Sequence, residues 1–440
     1  MGWRHSRGTP RILVGQVLMA VAYRAGALTT AGALALVAAG CSLNEFVTTC
    51  LPPSQGARAL LECADPGGSD REAVLFLVGD AGYVPCAQNP VLQDMRARVD
   101  ALSDRGVPVM VLYLGDNVYE EGVRADHLEE DLELLHAQVS VVEENVARAR
   151  FVPGNHDWAN TNSAVGRSRL KAQESALRDN SVALGAVGSD TFPMVPEAGC
   201  PGPRRVDIRN RAGALLARVL AVDSQWWIAD AAANPECASQ SKEDVVRRLR
   251  SELAAAGDTQ VVLAAHHPLV SGGPHGGNGE MLSGLAYRAR LLNQDMGSAA
   301  YREYFRAMES LVPSSRVPLI FAAGHDHSLQ VHELSGNRGG GPGGAGWHHL
   351  VSGSASKRTA VRGIEREGVE TLFAASLPGY MRLDFRSGGR IQLSVVAGCT
   401  DAGADGVGEG AADRSDAAFD TLAICETDQG FRTIFSKPIR

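Results

Sequence analysis

The sequence is poor in aromatic residues and in net positive charge, and it lacks long apolar segments beyond its N-terminus. Aromatic residues make up 5% of the 440 positions, although hydrophobic residues in total make up 45%, enough for a sizeable aliphatic core. No apolar run after residue 40 approaches the roughly 20 residues that a membrane-spanning helix needs. The net charge of −8 disfavours a polyanionic partner such as DNA or RNA. We therefore expect no nucleic-acid partner.

The N-terminal segment contains no acidic residue before Glu45, and its arginines precede a small, apolar stretch that spans residues 25–40. This pattern is typical of an export signal. We expect residues 1–40 to be a signal peptide that directs export to the periplasm or cell surface, with a retained membrane anchor as the alternative. Residues 37–41 resemble the lipoprotein signal of bacteria, in which Cys41 would carry a lipid that anchors the protein to a membrane.

The eight cysteines are dispersed along the chain, as in proteins of an oxidising compartment. Lipidation of Cys41 would leave an odd number, whereas an unmodified Cys41 would allow four disulfides, so parity argues against the lipid. Cys200 and Cys237 lie in one region between strands, and Cys399 and Cys425 flank one loop of the tail. We expect these two pairs to form disulfides.

No cysteine lies in the five short motifs that carry the chemistry. Each motif follows an apolar run and contributes one or two oxygen or nitrogen donors. Asp, Asn, Tyr and His are ligands for hard or borderline cations, which predicts a metal site without thiolates. The motifs are Gly79-Asp80-Ala81-Gly82, Gly115-Asp116-Asn117-Val118-Tyr119, Gly154-Asn155-His156-Asp157, Ala265-His266-His267-Pro268 and Gly324-His325-Asp326-His327.

The apolar runs before the motifs are typical of strands covered on both faces. A stripe of apolar residues at helical spacing, 128–146, fits between the second and third motifs. Ligands at the carboxyl ends of strands are the arrangement that open α/β sheets use for sites. The strand runs are Val74–Val78, Val107–Leu114, Arg150–Val152, Val261–Ala264 and Leu319–Ala322.

After residue 328 the chain contains shorter strand patterns with few helical periods between them, which favours a second sheet with antiparallel pairing. We predict an α/β fold in which two mixed β-sheets pack face to face as a sandwich flanked by helices, with a dinuclear metal site at the carboxyl ends of strands. The glycine-rich segment 336–346 lacks the Lys-Ser or Lys-Thr of a phosphate-binding loop and is predicted to be a surface loop. The predicted organisation is a signal peptide 1–40, a tether 41–72, a catalytic domain 73–398 and a C-terminal extension 399–440.

Two bridged cations can hydrolyse a phosphate ester, because they lower the pKa of bound water and compensate the charge of the phosphoryl oxygens. With this chemistry in view, the motifs resemble the metallophosphoesterase (calcineurin-like phosphoesterase) superfamily. Gly82 stands where most of its members have a histidine, and Tyr119 follows Asp116 by three residues. Both features resemble the purple acid phosphatase branch. The resemblance is clear over residues 73–335 and weaker to about 397.

The resemblance implies two metal ions, Fe(3+) and a divalent ion (Fe, Zn or Mn). The first would be bound by Asp80, Asp116, Tyr119 and His327. The second would share Asp116 as a bridge and be bound by Asn155, His266 and His325. The resemblance also implies that His156 and His275 contact the phosphate or protonate the leaving oxygen. His267 replaces a common aromatic residue and is open to a packing or a contact role.

These features predict an exported acid phosphatase that hydrolyses phosphomonoesters by attack of a metal-activated hydroxide, with histidine as general acid. The alternatives are a phosphodiesterase or nucleotidase with the same metal site, and an inactive surface binding protein. The last alternative would predict loss of metal ligands, whereas all seven are present. The sequence carries no signal for the oligomeric state, and the expected partner is a small phosphorylated substrate.

Overall fold

Two mixed β-sheets form the framework of the protein. The computed structural model describes residues 70–83, 89–142, 147–183, 193–276, 294–335, 347–398 and 431–440, all within one compact unit, Phe46–Arg440. In chain order the strands are β1 (Arg71–Val78), β2 (Val109–Tyr113), β3 (Arg148–Phe151), β4 (Arg204–Arg209), β5 (Leu215–Ala221), β6 (Gln260–Ala264), β7 (Leu319–Ala323), β8 (Leu329–Leu334), β9 (Trp347–Ser352), β10 (Val369–Ala375), β11 (Gly379–Arg386), β12 (Arg390–Gly398) and β13 (Phe431–Pro438).

The first sheet has the order β13-β12-β11-β1-β2-β3, and the second has the order β10-β8-β9-β7-β6-β5-β4. In the first sheet, β1, β2 and β3 are parallel, and β11 pairs with β1 in antiparallel fashion. In the second sheet, β5, β6, β7 and β9 are parallel. Both sheets therefore contain a parallel block, and the carboxyl ends of each block can carry ligands.

The two sheets pack face to face, which confirms the predicted sandwich. Alternate residues of β1 point to opposite sides, as the period of a strand requires. Leu75 and Leu77 belong to the same buried cluster as Val262 and Ile320 of the second sheet. Phe76, on the other face of β1, packs in the cluster that contains the helices. The apolar core between the sheets thus fixes the relative positions of the two parallel blocks.

Helices cover the outer faces of the sandwich. The first begins at Asn89, whose side chain accepts hydrogen bonds from the backbone N–H groups of Val91 and Leu92, a typical N-cap. None of the described helices combines the length and apolar character needed to cross a membrane. Within the described residues, the α-helices are α1 (Pro90–Asp104), α2 (Leu128–Val139), α3 (Ala164–Ala183), α4 (Ser224–Ile228), α5 (Lys242–Ala256) and α6 (Ala299–Glu309).

The sequence pattern predicts that the strands after residue 328 form a second sheet with antiparallel pairing. In the structure these strands divide between the two sheets instead. β8, β9 and β10 join the second sheet, with β9 parallel to β7, and β11, β12 and β13 join the first. The apolar stripe is confirmed as far as residue 142: α2 ends at Val139, a 3-10 turn at Ser140–Val142 continues it with Val142 buried, and Leu128 at its start is 47% exposed. Val146 lies outside the described residues. The predicted disulfide between Cys200 and Cys237 is confirmed.

Several sequence predictions lie outside the described residues. These are the signal peptide, most of the tether, Cys41, the glycine-rich segment 336–346 and the Cys399–Cys425 disulfide. The final segment, Phe431–Pro438, pairs with β12 as an edge strand. The C-terminal part of the chain therefore contributes to the first sheet.

Candidate metal centre

The five motifs meet at one edge of the sandwich. They follow β1, β2 and β3 of the first sheet and β6 and β7 of the second. Backbone hydrogen bonds join them directly: the N–H of Asp80 donates to Gly115 O at 2.9 Å, and the N–H of Gly324 donates to His266 O at 3.0 Å. Because both sheets supply strand ends to the same edge, donors from distant parts of the sequence come together there.

Three candidate ligands occupy the left-handed backbone region. The φ angles are 59° for Asp80, 54° for Asp116 and 69° for His325. Non-glycine residues seldom adopt this conformation, and each instance costs on the order of 1–3 kcal/mol. The surrounding fold must compensate this cost, so the backbone strain is concentrated where the donors converge.

Two glycines show how closely the loops approach one another. A Cβ on Gly154 would lie 2.2 Å from Oδ1 of Asp116, so a side chain there would displace a candidate ligand. A Cβ on Gly82 would lie 2.1 Å from the carbonyl carbon of Asn117. The position at which most superfamily members carry a histidine has no room for a side chain here.

The first set of donors surrounds the hydroxyl of Tyr119. This hydroxyl donates to Oδ1 of Asp80 at 2.9 Å and lies 3.2 Å from Nε2 of His327. The same His327 nitrogen lies 3.4 Å from Oδ1 of Asp80. A carboxylate, a phenol and an imidazole therefore direct their donor atoms to one point.

The second set of donors surrounds the amide oxygen of Asn155. Oδ1 of Asn155 lies 2.9 Å from Nε2 of His266 and 3.1 Å from Nδ1 of His325. The two imidazole nitrogens lie 3.2 Å apart. The donors of this set, an amide oxygen and two imidazole nitrogens, are of neutral types, and the three residues are almost completely buried.

Asp116 lies between the two sets. Its Oδ1 is 3.4 Å from Nε2 of His266 and accepts a hydrogen bond of 3.0 Å from the backbone N–H of His156. In the first set, burial and the carboxylates of Asp116 and Asp80 raise the pKa of the Tyr119 phenol well above its usual value. Asp116 therefore acts electrostatically on both sets, as a bridging ligand must.

The buried carboxylates favour positive charge in the centre. Burial alone would raise the pKa of Asp116, but His266 and His156 outweigh this effect and hold it well below its usual range. Although burial opposes it, Asp116 and Asp80 raise the pKa of His266 to about 9. Among the described residues, no lysine or arginine forms an ion pair with either carboxylate. Two anions and three imidazoles in this arrangement fit a pair of metal cations.

Asp157 holds the second and third motifs together. Its fully buried carboxylate accepts hydrogen bonds from the backbone N–H groups of Asn117, Val118 and Gly154, and from the Asn117 side chain. Burial and the nearby Asp116 raise the pKa of Asp157 to about 7. The sequence places it in a motif, but its cross-loop role appears only in the structure.

Both predicted catalytic histidines lie beside the donor sets. The His156 ring lies against Tyr119, with ring centroids 4.4 Å apart, and its Nδ1 is 2.6 Å from the carbonyl oxygen of Glu120. The His275 ring stacks on His325 at 4.1 Å. Burial lowers the pKa of His275, but Asp295 and Asp326 outweigh it and raise the pKa above its usual value. One histidine therefore flanks each set.

His267 both packs and contacts the site. Its ring centroid lies 4.3 Å from that of His325, and its nitrogens lie 2.8 Å from Ser224 Oγ and 2.5 Å from Gln294 Oε1. One donor atom each from His266, His267 and His325 lie within 4.8 Å of one another. Since both nitrogens of His267 have protein partners, it is better suited to support the second set than to belong to it.

Lys357 is a site residue that the motifs do not include. Its ammonium lies 3.7 Å from the centre of the Tyr119 ring and 3.0 Å from Oε1 of Glu120. The neighbouring Ser356 donates to the backbone oxygen of Asp80. This loop follows β9, and β9 is parallel to β7, which carries the fifth motif. The sequence signal that could have identified it is one of the strand patterns after residue 328, which corresponds to β9.

Comparison with known proteins gives one match to a family and several distant structural relatives. A sequence model of the calcineurin-like phosphoesterase family (Metallophos) matches residues 63–329. No curated protein matches the chain.

Three solved structures illustrate the structural relatives. Purple acid phosphatase PPD1 from yellow lupin (Lupinus luteus) seeds is 13% identical, with 76% of this chain and 52% of that chain covered and a TM-score of 0.45. PhoD is 13% identical, with 85% and 70% covered and a TM-score of 0.46. GAP50 of Plasmodium, described as the anchor in the inner membrane complex, is 15% identical, with 74% and 85% covered and a TM-score of 0.42. Because the family match spans more than half of the sequence, this chain belongs to the calcineurin-like phosphoesterase family.

Proposed function

We propose that the protein is an exported dinuclear-metal acid phosphatase that hydrolyses phosphomonoesters. The observation that carries the proposal is the pair of donor sets joined by Asp116, with His156 and His275 beside them. Phosphoester hydrolysis is the chemistry of the family. Monoester specificity and the purple type rest on Gly82 and Tyr119, which distinguish the first two motifs.

The donor chemistry of the two sets suggests two different cations. Asp80, Tyr119 and His327, with Asp116, offer three anionic oxygens once the phenol is ionised, and we assign them to Fe(3+). Asn155, His266 and His325, with Asp116, offer neutral donors and one anion, and we assign them to a divalent ion. When bound, such a pair lowers the pKa of a bound water and compensates the charge on the phosphoryl oxygens.

The residues around the donors complete the catalytic arrangement. His156 is fixed by Glu120 O on one side and by Tyr119 on the other, so it can donate a hydrogen bond to a phosphoryl oxygen. His275 stacks over His325 and is placed to give a proton to the leaving oxygen. A positioned general acid contributes roughly 10²–10⁴-fold to the rate. Lys357 adds a positive charge at the Tyr119 side of the site.

Hydrolysis of phenyl phosphate and of diphenyl phosphate by the purified, metal-loaded protein tests the function. We expect rapid, metal-dependent hydrolysis of the monoester and slow hydrolysis of the diester, with both reactions lost in Asp116→Ala. His127→Ala, which removes an imidazole whose side chain is 45% exposed and pairs with Glu130, is the surface control. A preference for the diester would assign the protein to the phosphodiesterases. No hydrolysis of either substrate with two metals bound would favour the inactive binding protein.

We also propose export with attachment to a bacterial membrane through a lipid on Cys41. The support is the arginine-containing, acid-free N-terminal segment and the Val-Ala-Ala-Gly-Cys sequence that ends at Cys41. Cell fractionation of a Cys41→Ser variant tests it: the variant should move from the membrane to the soluble periplasmic or extracellular fraction. Unchanged membrane association would refute the lipid anchor.

A further inference from the structure

Asp295 lies outside every sequence motif, yet it contacts a catalytic histidine. Its Oδ1 is 3.0 Å from Nδ1 of His275, and the residue is 4% exposed. It belongs to the short segment that precedes α6. The next residue, Met296, donates its backbone N–H to the carbonyl oxygen of His275 at 3.1 Å. The segment therefore holds His275 both by its ring and by its backbone.

A second carboxylate holds the same residue through its backbone. Oδ1 of Asp326, in the fifth motif, accepts a hydrogen bond of 3.3 Å from the backbone N–H of His275. A Cβ on Gly273 would lie 2.6 Å from Cγ of Asp326, so the loop passes directly over this carboxylate. His275 is thus tied to the metal-binding loop through its backbone, whereas the direction of its ring depends on Asp295.

The direction of the ring matters because a histidine can serve as a general acid through only one nitrogen at a time. With Nδ1 committed to Asp295, the other nitrogen, Nε2, is free to face the substrate. The stacking of the ring on His325 defines its plane, and the bond to Asp295 defines its rotation within that plane. Catalytic groups must lie close to the productive geometry, and small misplacements are costly to the rate.

A buried carboxylate is also unfavourable unless it has a function or a strong partner. Among the described residues, Oδ1 of Asp295 pairs with His275, and Oδ2 is buried without a hydrogen-bond partner. An alanine or leucine would avoid this cost if the position served packing alone. The arrangement therefore indicates a role that requires an acceptor at this position.

We propose that Asp295 is a positioning residue that aims Nε2 of His275 at the leaving oxygen and so adapts the site to alkyl phosphomonoesters. This inference rests on the proposed function. In the reaction, the oxygen of water forms a bond to phosphorus while the bond from phosphorus to the alkyl oxygen breaks. The alkyl oxygen takes the proton from His275, the attacking water releases one proton to the solvent, and the imidazole regains a proton from the solvent before the next turnover. The products are inorganic phosphate and an alcohol. Alkyl oxygens are poor leaving groups and need that proton, whereas phenols with electron-withdrawing groups do not.

A double-mutant cycle on the full-length, metal-loaded protein tests the inference. The variants are Asp295→Ala, His275→Ala and the combination, assayed with glycerol 2-phosphate and with 4-nitrophenyl phosphate. We expect Asp295→Ala to lower kcat on the alkyl substrate by about 10–100-fold and to change kcat on the aryl substrate by less than about 3-fold, a partial loss of the general-acid contribution. In the His275→Ala background the same change should have no further effect, because Asp295 acts through that ring.

Two further variants separate positioning from a general loss of structure. Asp295→Asn keeps an acceptor oxygen and should retain most of the activity on the alkyl substrate. Glu303→Ala removes an exposed carboxylate from the neighbouring α6 and should leave both activities and the metal content unchanged. Thermal unfolding and metal analysis accompany each variant, and a positioning role requires that Asp295→Ala retain two metals.

Additive losses of activity from Asp295→Ala and His275→Ala would overturn the inference, because they would show that Asp295 does not act through His275. The proposed phosphatase function would stand. Equal losses on both substrates would also overturn the inference, because they would assign Asp295 to folding or to phosphate binding. No effect of His275→Ala on the alkyl substrate would remove the general-acid role itself. No hydrolysis by the wild-type protein would refute the proposed function and the inference together.

Discussion

The two donor sets of the metal centre differ in charge and in exposure, although they share Asp116. The Tyr119 set contains carboxylate and phenol oxygens, and its imidazole, His327, has a side chain that is 20% exposed. The Asn155 set contains an amide and two imidazoles, with His266 fully buried. An anionic set suits a trivalent cation, and a neutral set suits a divalent one. The asymmetry of the protein therefore predicts two unlike metals.

In our proposal Asp116 is the ligand that both metals share, so its removal should have the largest effect on this comparison. Asp116→Ala deletes an anion that both sets use, so we expect the loss of both metals and of hydrolysis. Asn155→Ala deletes a neutral ligand of one set, and we expect it to weaken only the divalent metal. Metal analysis by mass spectrometry, with activity measured beside it, checks this order. Equal effects of the two variants would mean that Asp116 does not bridge.

The Tyr119 set should be separable from the other by spectroscopy. A tyrosinate bound to Fe(3+) gives a visible charge-transfer band, so Tyr119→Phe should abolish the band while the divalent metal remains bound. Tyr113→Phe is a matched control, because the hydroxyl of this buried tyrosine donates to Gln138 O away from the donors. Persistence of the band in Tyr119→Phe would assign it to another ligand.

The two histidines that flank the sets should differ in substrate dependence. His156 lies beside the Tyr119 set and contacts the phosphoryl group in our proposal, so His156→Ala should reduce hydrolysis of alkyl and aryl phosphates alike. A loss of about 10²-fold or more is expected, within the range of a single positioned group. Steady-state kinetics of both substrates measures it. A loss confined to alkyl phosphates would exchange the roles of His156 and His275.

The strands that precede the motifs are predicted well because most of them contain a continuous apolar run. β8, Leu329–Leu334, lies at the start of the region after residue 328 in which the sequence predicts strands. The hairpin of Arg204–Arg209 and Leu215–Ala221 is not predicted, because its first strand, Arg-Arg-Val-Asp-Ile-Arg, is mostly charged and lies at the sheet edge. Strand order could not be derived either, because pairing between distant segments leaves no local pattern.

The residues that support the site were harder to predict than the donors. Asp295 and Lys357 lie outside the motifs, and only the folded chain places them beside His275 and Tyr119. Trp158 follows the third motif directly, and its side chain is fully buried. Its indole N–H donates to Asp223 at 2.8 Å, a contact between loops that sequence spacing does not reveal.

The smallest expected effect is on stability, and it concerns Asp223, which supports the Asn155 set. Asp223 accepts the Trp158 bond and also caps α4, and burial raises its pKa to about 7. Because the folded state then holds a proton that the unfolded chain releases near pH 4, this group lowers stability as the pH rises from about 4 to 7. Asp223→Asn should flatten that fall in the free energy of unfolding measured in urea. An unchanged pH dependence of the free energy of unfolding would contradict the raised pKa of Asp223.

The central claim is that one chain holds two unlike metals in two unlike donor sets. Metal analysis of the purified wild-type protein, combined with its visible spectrum, tests it most directly. The account predicts one iron and one divalent ion per chain, together with a charge-transfer band that Tyr119→Phe removes. A colourless, iron-free protein with full phosphatase activity would contradict the unlike pair.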